Sequence, residues 1–299
     1  MRHVIGIFGP TASGKSAVAE AVARRIPAEL VSADSAQLYR GLPILTNQSP
    51  AALAGIWELD HEASVGEYQQ LAHGTIDAAL AAGKTVIVVG GTGLYFRAAL
   101  GELDVPPAPR AGARERWERV YDEGGAETAH ALLAEADPVA AAAVHANDRR
   151  RVVRALELAE AGSSLRPAED RLWSAETRHP SLLVGLEVPS EELARRIEER
   201  TRSMFEAGVG KEVRQALQRP LSSTARKIIG LREVAELTPE EAEAALAART
   251  RRLAAYQRKW MRRIPGLVTV RADRSPEEVA DDVLALARSG QRVPAGRAG

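Results

Sequence analysis

The residues best suited to chemistry lie near the start of the chain, where "GPTASGKS" occupies positions 9–16. This stretch matches the phosphate-binding pattern G-x-x-x-x-G-K-[ST] in full. Its glycines let backbone N–H groups turn toward phosphate oxygens, Lys15 can neutralise a terminal phosphate, and the Ser16 hydroxyl can ligate Mg²⁺. The pattern predicts phosphate binding, but it leaves open whether the phosphate belongs to ATP or to another diphosphate.

Two further stretches are placed to share a site with this loop. "SADSAQLYRG" (32–41) and "VVGGTGLYFRAAL" (88–100) each follow a predicted strand. Because the carboxyl ends of neighbouring parallel strands share one crevice, we expect Asp34 and Thr92 to face the phosphate loop. Asp34 could be a general base, could support a metal, or could cap the next helix. Likewise, the glycines around Thr92 fit either a ligand site or a tight turn.

Arg200 lies on a predicted apolar helix face. Leu193, Ile197 and Met204 fall at helical spacing, and Arg200 belongs to the same stripe. A buried guanidinium must reach solvent, pair with a carboxylate or meet a ligand anion. With a phosphate loop in the same chain, a diphosphate is a candidate partner.

The elements that must position these residues follow an alternating pattern. Short β-branched runs alternate with long helical patterns, which is typical of a parallel sheet with crossover helices. Strands are predicted at 3–8, 29–33, 85–90, 181–188 and 267–272. We predict an α/β fold with its core at 1–110 and 180–290, a helical insertion at 111–179 and a disordered tail at 291–299.

Charge is balanced overall and uneven locally. Lys+Arg 40 equals Asp+Glu 40, so net charge does not indicate a nucleic-acid partner. However, "RTRRLAAYQRKWMRR" (249–263) holds seven basic residues and no acidic one, and four arginines lie in 147–154. Such patches bind polyanions or are solvated helix faces. In the first of them, Arg251, Arg258 and Arg262 are predicted to share a face suited to a nucleic-acid backbone.

Composition excludes several chemistries. The 299-residue chain has no cysteine, which excludes disulfides, cysteine–zinc sites and thiol catalysis. It enters a predicted strand at once, so we expect no signal peptide. No apolar run approaches the ~20 residues that span a bilayer. We expect a cytoplasmic monomer without membrane contact.

The motifs together resemble those of the tRNA dimethylallyltransferase (isopentenyltransferase) family. The matching stretches, in order, are "GPTASGKS", "SADSAQLYRGL", "GGTGLYFRAAL", "NDRRRVVRALE", "ARKIIGLREV" and "TRRLAAYQRKWMRR". The resemblance implies a P-loop, nucleotide-kinase-like core with a helical insertion that grips the anticodon arm. It also implies transfer of a dimethylallyl group from dimethylallyl diphosphate to the exocyclic amine of the adenosine 3′-adjacent to the anticodon in tRNA.

Residue roles follow from the resemblance. The loop holds the donor's diphosphate, which leaves, while Lys15, Arg200 and Mg²⁺ bound through Ser16 stabilise its charge. Asp34 matches the general base, and Thr92 lines the channel where base and donor meet. The implied diphosphate-binding residues are Gly9, Pro10, Thr11, Ala12, Ser13, Gly14, Lys15 and Ser16. The implied contacts to the tRNA anticodon stem-loop are Asp34, Ser35, Ala36, Gln37, Thr92, Arg114, Arg150, Arg151 and Arg154, with 224–234 and 249–263 as weaker candidates.

The chain departs from the family pattern at a few positions. The segment 41–68 is shorter than usual, Leu231 replaces a usual Tyr, and Ala255 and Tyr256 stand where a basic pair is common. Three other functions remain open at this point. They are prenylation of free AMP or ADP, a P-loop kinase or NTPase activity, and a non-enzymatic RNA-binding module.

Overall fold

Five parallel strands carry the loops that the sequence singles out. In the computed structural model, which describes residues 4–105, 112–165 and 171–290, the strands are β1 (Val4–Phe8), β2 (Ala28–Ser32), β3 (Thr85–Gly90), β4 (Ser181–Glu187) and β5 (Val268–Arg271). Their order across the sheet is β2-β3-β1-β4-β5, and every neighbouring pair is parallel. Each strand overlaps one predicted run, which confirms the predicted α/β fold.

The central strands β1 and β3 lie in the core because they are almost entirely apolar, whereas the edge strands β2 and β5 are only partly buried. Every residue of β1 and β3 is buried, as expected for a parallel sheet covered on both faces. The main hydrophobic cluster joins Ile5, Ile87 and Val184 of the sheet to helix residues such as Val18 and Val283. The sheet thus gives a rigid base to the loops at its carboxyl edge.

Twelve α-helices accompany the sheet in the described part of the chain. They are α1 (Lys15–Ala23), α2 (Pro43–Thr46), α3 (Val65–Ala81), α4 (Gly93–Leu100), α5 (Ala113–Ala136), α6 (Pro138–Ala143), α7 (Arg149–Glu160), α8 (Ser190–Glu206), α9 (Val209–Ala216), α10 (Leu231–Glu236), α11 (Pro239–Met261) and α12 (Pro276–Arg288). Short 3₁₀ turns occupy Arg171–Trp173 and Ala225–Lys227. None of these described helices has the length and apolar character needed to cross a bilayer.

The stretches "TPEE" (238–241) and "SPEE" (275–278) predict capping boxes at two helix starts, and the structure confirms both. The Thr238 hydroxyl accepts a hydrogen bond from the Glu241 N–H, and the Glu241 carboxylate accepts one from the Thr238 N–H. Ser275 and Glu278 form the same capping box. Ser190 is the first residue of α8, and no side chain caps that helix. The Ser190 hydroxyl accepts a hydrogen bond from Arg258.

Residues 103–171 form a separate helical unit, and the rest of the described chain forms the larger one. The helical unit has its own core, which includes Leu133, Val152 and Leu156. Gly125 interrupts α5 with a φ of 82°, so the residues before and after it form two helical segments. The return segment 172–179, predicted as part of the insertion, belongs to the larger unit, where Arg97 donates hydrogen bonds to the carbonyls at 172 and 174. The predicted tail at 291–299 lies outside the described residues.

Candidate active site

The phosphate-loop motif follows β1 and ends in the first turn of α1. Ala12 and Gly14 both have left-handed backbones, with φ of 64° and 87°, and Ser13 donates its backbone N–H to the Pro10 carbonyl. No side chain caps α1. The first N–H groups of α1 are therefore left for another acceptor, which suits an anion at the positive end of the helix dipole.

Two cations converge on this loop. Lys15 is only 8% exposed, and Arg200 of α8 donates from Nη1 to the Thr11 hydroxyl at 2.8 Å. Burial lowers the pKa of Lys15 to about 8; the negative charge of Asp34 opposes this shift, and the positive charge of Arg200 adds to it. Burial also lowers the pKa of Arg200.

Neither cation has an anionic partner among the described residues. Within the described residues, no carboxylate lies at ion-pairing distance from either side chain, and Arg200 Nε is buried without a hydrogen-bond partner. The Ser13 hydroxyl, in the same loop, is also buried and unbonded there. Buried charge is costly unless it is paired, so this arrangement favours a bound anion over an internal ion pair.

The loop after β2 brings a carboxylate beside these cations. Asp34 is half-buried, and its Oδ1 accepts a hydrogen bond from the Ala36 N–H at 3.1 Å. The described residues give its other oxygen, Oδ2, no hydrogen bond. No helix begins at this point, so the carboxylate closes a turn and does not cap a helix. One oxygen thus fixes the side chain while the other is available to accept a proton.

Thr92 joins the loops that follow β2 and β3. Its Oγ1 accepts a hydrogen bond from the Ser35 N–H at 3.3 Å and lies 3.4 Å from the Ser35 hydroxyl. The structure therefore brings Asp34, Ser35, Thr92, Lys15 and Arg200 to one edge of the sheet. Their predicted roles in catalysis and tRNA contact stay predictions.

Gln37 occupies a different environment from its neighbours. It is 6% exposed, its Nε2 donates to the Asn47 carbonyl at 3.0 Å, and its Oε1 accepts from the Ser49 hydroxyl at 3.1 Å. These bonds fold the segment after α2 back onto the loop. Of the four residues 34–37 predicted to contact tRNA, Gln37 is thus the one whose side chain is committed inside the protein.

The glycines around Thr92 are required by close packing. A Cβ on Gly91 would lie 2.4 Å from Gln257 Nε2 and 2.9 Å from the Gly9 carbonyl oxygen. A Cβ on Gly93 would lie 2.1 Å from the Trp260 ring. Helix α11 therefore packs directly onto this turn, and side chains at either position would push it away.

Gln257 of α11 is a site residue that the sequence reasoning missed. Its side chain is 3% exposed, and its Oε1 accepts a hydrogen bond from the Thr11 N–H at 2.7 Å. Thr11 is therefore held through its backbone by Gln257 and through its side chain by Arg200. The signal was present in the sequence, because Gln257 shares a helical face with Ala254, Met261 and Ile264, which are buried.

Several basic side chains of α11 bind other parts of the protein, and this corrects the prediction that one face of the helix is suited to a nucleic-acid backbone. Arg251 pairs with Glu198 at 2.8 Å, and Arg258 bonds to the Ser190 hydroxyl and the Val188 carbonyl. Arg249 pairs with Glu233. Of the predicted trio Arg251, Arg258 and Arg262, only Arg262 is exposed and without an ion pair within the described residues. The trio therefore does not present three unpaired charges, as the predicted face requires.

The helical unit arranges its predicted tRNA contacts around one buried carboxylate. Glu157 is 1% exposed; its Oε2 lies 2.9 Å from Arg154 Nη1 and its Oε1 lies 3.4 Å from Arg114 Nε. Arg151 is exposed, 3.7 Å from Asp148. Arg150 is exposed and has no ion pair among the described residues. Arg150 and Arg154, expected as two adjacent cations, thus differ because Glu157 neutralises the second.

A resident metal site made of protein side chains alone is not found in the described part of the chain, where no cluster of three His, Cys, Asp or Glu could hold an ion. Ser16, the predicted Mg²⁺ ligand, is half-buried beside Lys15. A hydroxyl oxygen fits Mg²⁺, which commonly takes one or two protein ligands, several waters and substrate phosphates. The residues present therefore fit a metal that arrives with a phosphate ligand.

Comparison with known proteins places this geometry in a family. A family model described as IPP transferase matches residues 37–264. The chain is 39% identical to a tRNA dimethylallyltransferase of Corynebacterium jeikeium, covering 92% of this chain and 93% of that one. It is 40% identical to a tRNA dimethylallyltransferase of Thermobifida fusca, covering 89% and 88%.

A solved structure agrees with the sequence matches. The tRNA isopentenylpyrophosphate transferase of Bacillus halodurans superposes with a TM-score of 0.68 at 27% identity, covering 97% of both chains. The family model alone matches more than half of the chain, including Thr92 and Arg200. This chain belongs to the IPP transferase family.

Proposed function

We propose that this protein transfers a dimethylallyl group from dimethylallyl diphosphate to the exocyclic amine of the adenosine 3′-adjacent to the anticodon in tRNA. The observation that carries the proposal is the pair of buried cations beside the phosphate loop, Lys15 and Arg200, neither of which has a carboxylate of the described residues at ion-pairing distance. Membership of the IPP transferase family supports a prenyl diphosphate as the anion that they hold.

The cations act on the leaving group. Breaking the bond between the allylic carbon and oxygen leaves negative charge on the departing diphosphate. Lys15, Arg200 and the N–H groups at the start of α1 are fixed in place by the fold, so they stabilise that charge without reorganising during the reaction. When bound, Mg²⁺ would supply further charge neutralisation, with the Ser16 hydroxyl as its protein ligand.

The carboxylate acts on the acceptor. As the new carbon–nitrogen bond forms, the adenosine amine must lose a proton, and Asp34 Oδ2 is the oxygen without a hydrogen bond from the described residues. Oδ1 keeps the carboxylate oriented through the Ala36 N–H. Thr92, bonded to Ser35, holds the two loops together at the place where donor and acceptor would meet. Because the amine is inside an RNA loop, the base must be turned out to reach the donor.

The helical unit supplies a second place for RNA. Arg150, exposed and without an ion pair among the described residues, is the group there best placed to contact a phosphate. We propose that this unit grips the anticodon arm. Arg150→Gln should then weaken tRNA binding and lower its salt dependence by about one phosphate contact.

A transfer assay tests the function directly. The protein is incubated with radiolabelled dimethylallyl diphosphate, Mg²⁺ and unmodified tRNA, and the RNA is digested to nucleosides to find the labelled base. Label on the adenosine next to the anticodon supports the proposal. Label on added AMP but not on tRNA would identify an adenylate prenyltransferase, and ATP hydrolysis without prenyl transfer would identify an NTPase. Asp34→Asn is the matched control, since its amide can still accept the Ala36 hydrogen bond.

A further inference from the structure

One face of α11 carries an exposed aromatic ring between cations. Tyr256 is 58% exposed, although tyrosines are commonly more buried. Arg252 and Lys259 lie one turn before and after it, and Arg263 continues the same stripe just beyond the helix end. We call this surface, made of Arg252, Tyr256, Lys259 and Arg263, the α11 stripe. At 1.5 Å per residue it is about 16 Å long.

The cations of the α11 stripe form no ion pair within the described chain. Other basic residues of the helix are bound internally, Arg249 by Glu233, Arg251 by Glu198 and Arg258 by the Val188 carbonyl. By contrast, no carboxylate of the described chain lies at ion-pairing distance from the three cations of the stripe. The helix thus separates a face that holds the fold together from a face that presents unneutralised charge.

The α11 stripe adjoins the candidate active site. Gln257, the next residue after Tyr256, bonds to Thr11 of the phosphate loop. Trp260, which packs edge-to-face with Tyr256 at 6.5 Å, lies against Gly93, the residue after Thr92. Trp173 packs on Trp260 at 4.9 Å, and the Arg263 guanidinium lies 3.7 Å from the Trp173 ring centroid. A ligand on Tyr256 would therefore be a close neighbour of a ligand at Thr92.

The chemistry of this surface fits a single-stranded nucleic acid. Surfaces that bind single strands combine cations, which follow the phosphates, with aromatic rings on which bases stack. An apolar peptide would leave the three cations unpaired, and an acidic peptide would not need the ring. Resting on the proposed function, we infer that Tyr256 stacks on an unpaired anticodon-loop base that flanks the reacting adenosine, while Arg252, Lys259 and Arg263 hold the adjacent phosphates.

Two substitutions separate stacking from other roles of the ring. Tyr256→Ala removes the ring, and Tyr256→Phe keeps it without the hydroxyl. Since stacking of one base on an aromatic side chain is worth about 1–3 kcal/mol, Tyr256→Ala should weaken binding of an unmodified anticodon stem-loop roughly 5- to 150-fold. Tyr256→Phe should stay within about twofold of the parent protein. The ring is exposed, so neither change should alter the melting temperature.

Salt dependence distinguishes the ring from the cations. Tyr256→Ala should leave the slope of log Kd against log salt unchanged, while Lys259→Gln should lower its magnitude by about 0.7, the value for one phosphate of a single strand. The KM for dimethylallyl diphosphate should be unaffected by Tyr256→Ala. In a stem-loop that carries 2-aminopurine beside the target adenosine, the fluorescence of that base should be quenched when the parent protein binds. Binding of Tyr256→Ala should quench the fluorescence less.

The outcomes separate this inference from the proposed function. If the parent protein prenylates tRNA and Tyr256→Ala binds and prenylates it equally well, the α11 stripe does not stack a base and the inference is wrong. If Tyr256→Phe loses as much affinity as Tyr256→Ala, the hydroxyl is responsible and stacking is excluded. If the parent protein neither binds nor prenylates tRNA, the proposed function itself fails, and the inference with it.

Discussion

Replacing Lys15 by Met should stabilise the fold while removing its capacity to hold a diphosphate. Met has a similar length and no charge, so it fills the same space in the first turn of α1. Lys15 is 8% exposed, and within the described residues no carboxylate pairs with it. Without a ligand, the folded protein therefore keeps the Lys15 charge buried, whereas the same charge is solvated in the unfolded chain.

The pKa of Lys15 gives the magnitude and its pH dependence. Burial lowers the pKa from 10.5 to about 8, which at 1.36 kcal/mol per unit corresponds to about 3 kcal/mol of destabilisation. Below pH 8 the ammonium is charged in both folded and unfolded states, so the cost is fully present. Between pH 8 and 10.5 the folded state loses its proton first, and the cost falls with rising pH. The gain from Lys15→Met should thus be full at pH 7 and nearly absent above pH 10.

Thermal unfolding measures this effect. At pH 7, Lys15→Met should raise the melting temperature of the larger unit by roughly 6–12 °C, at about 2–4 °C per kcal/mol for a domain of this size. Lys211→Met is the matched control, because Lys211 is exposed on α9 and its replacement should change little. Added inorganic pyrophosphate should raise the melting temperature of the parent protein and of the control, but not that of Lys15→Met.

Two results would refute this reasoning. A melting temperature of Lys15→Met at or below that of the parent protein at pH 7 would mean that Lys15 already has a compensating partner. Equal stabilisation of the parent and Lys15→Met by pyrophosphate would mean that the diphosphate binds elsewhere.

Other substitutions test single contacts of the site and of the helical unit. Asp34→Asn should lower the single-turnover rate of prenyl transfer by about 10²- to 10⁴-fold while stem-loop binding persists, and an unchanged rate would exclude Asp34 as the base. Gln257→Met leaves the Thr11 N–H without its acceptor. Calorimetry should therefore show weaker pyrophosphate binding and a loss of about 1–3 kcal/mol in the free energy of unfolding. The control Gln215→Met, at an exposed position of α9, should show neither effect. Glu157→Gln removes the buried carboxylate between Arg114 and Arg154. Thermal unfolding should show that the helical unit is destabilised by roughly 3 kcal/mol. Unchanged stability would mean that those arginines need no counter-charge.

Local sequence signals were sufficient to predict the five strands and the loop that follows β1. The central strands β1 and β3 are nearly continuous apolar runs because both faces of the sheet are covered there, and two helices begin at capping boxes whose partners lie three residues apart. Arg200 could be singled out as an anomaly, since a cation on an apolar stripe needs an explanation. What it meets, the hydroxyl of Thr11, is 189 positions away and could not be read from spacing.

The failures have the same origin in long-range contacts. Arg251 and Arg258 were predicted to face nucleic acid, but Glu198 and the Val188 carbonyl, more than fifty residues earlier in the chain, bind them. Gln257 shares a helical face with buried residues, but its partner, the Thr11 N–H, is 246 positions away and could not be identified from spacing. Helical spacing identifies which residues share a face, and only the packing of helices shows which of those faces is already occupied.

A crystal structure with a non-reactive donor analogue, dimethylallyl S-thiolodiphosphate, tests most directly whether the unpaired cations hold the departing diphosphate. We expect its diphosphate oxygens to accept hydrogen bonds from Lys15 Nζ, from the backbone N–H groups at the start of α1 and from Arg200 Nε, the buried nitrogen without a partner among the described residues. A structure in which the analogue lies away from the loop, with Lys15 and Arg200 making no contact to it, would contradict the proposal.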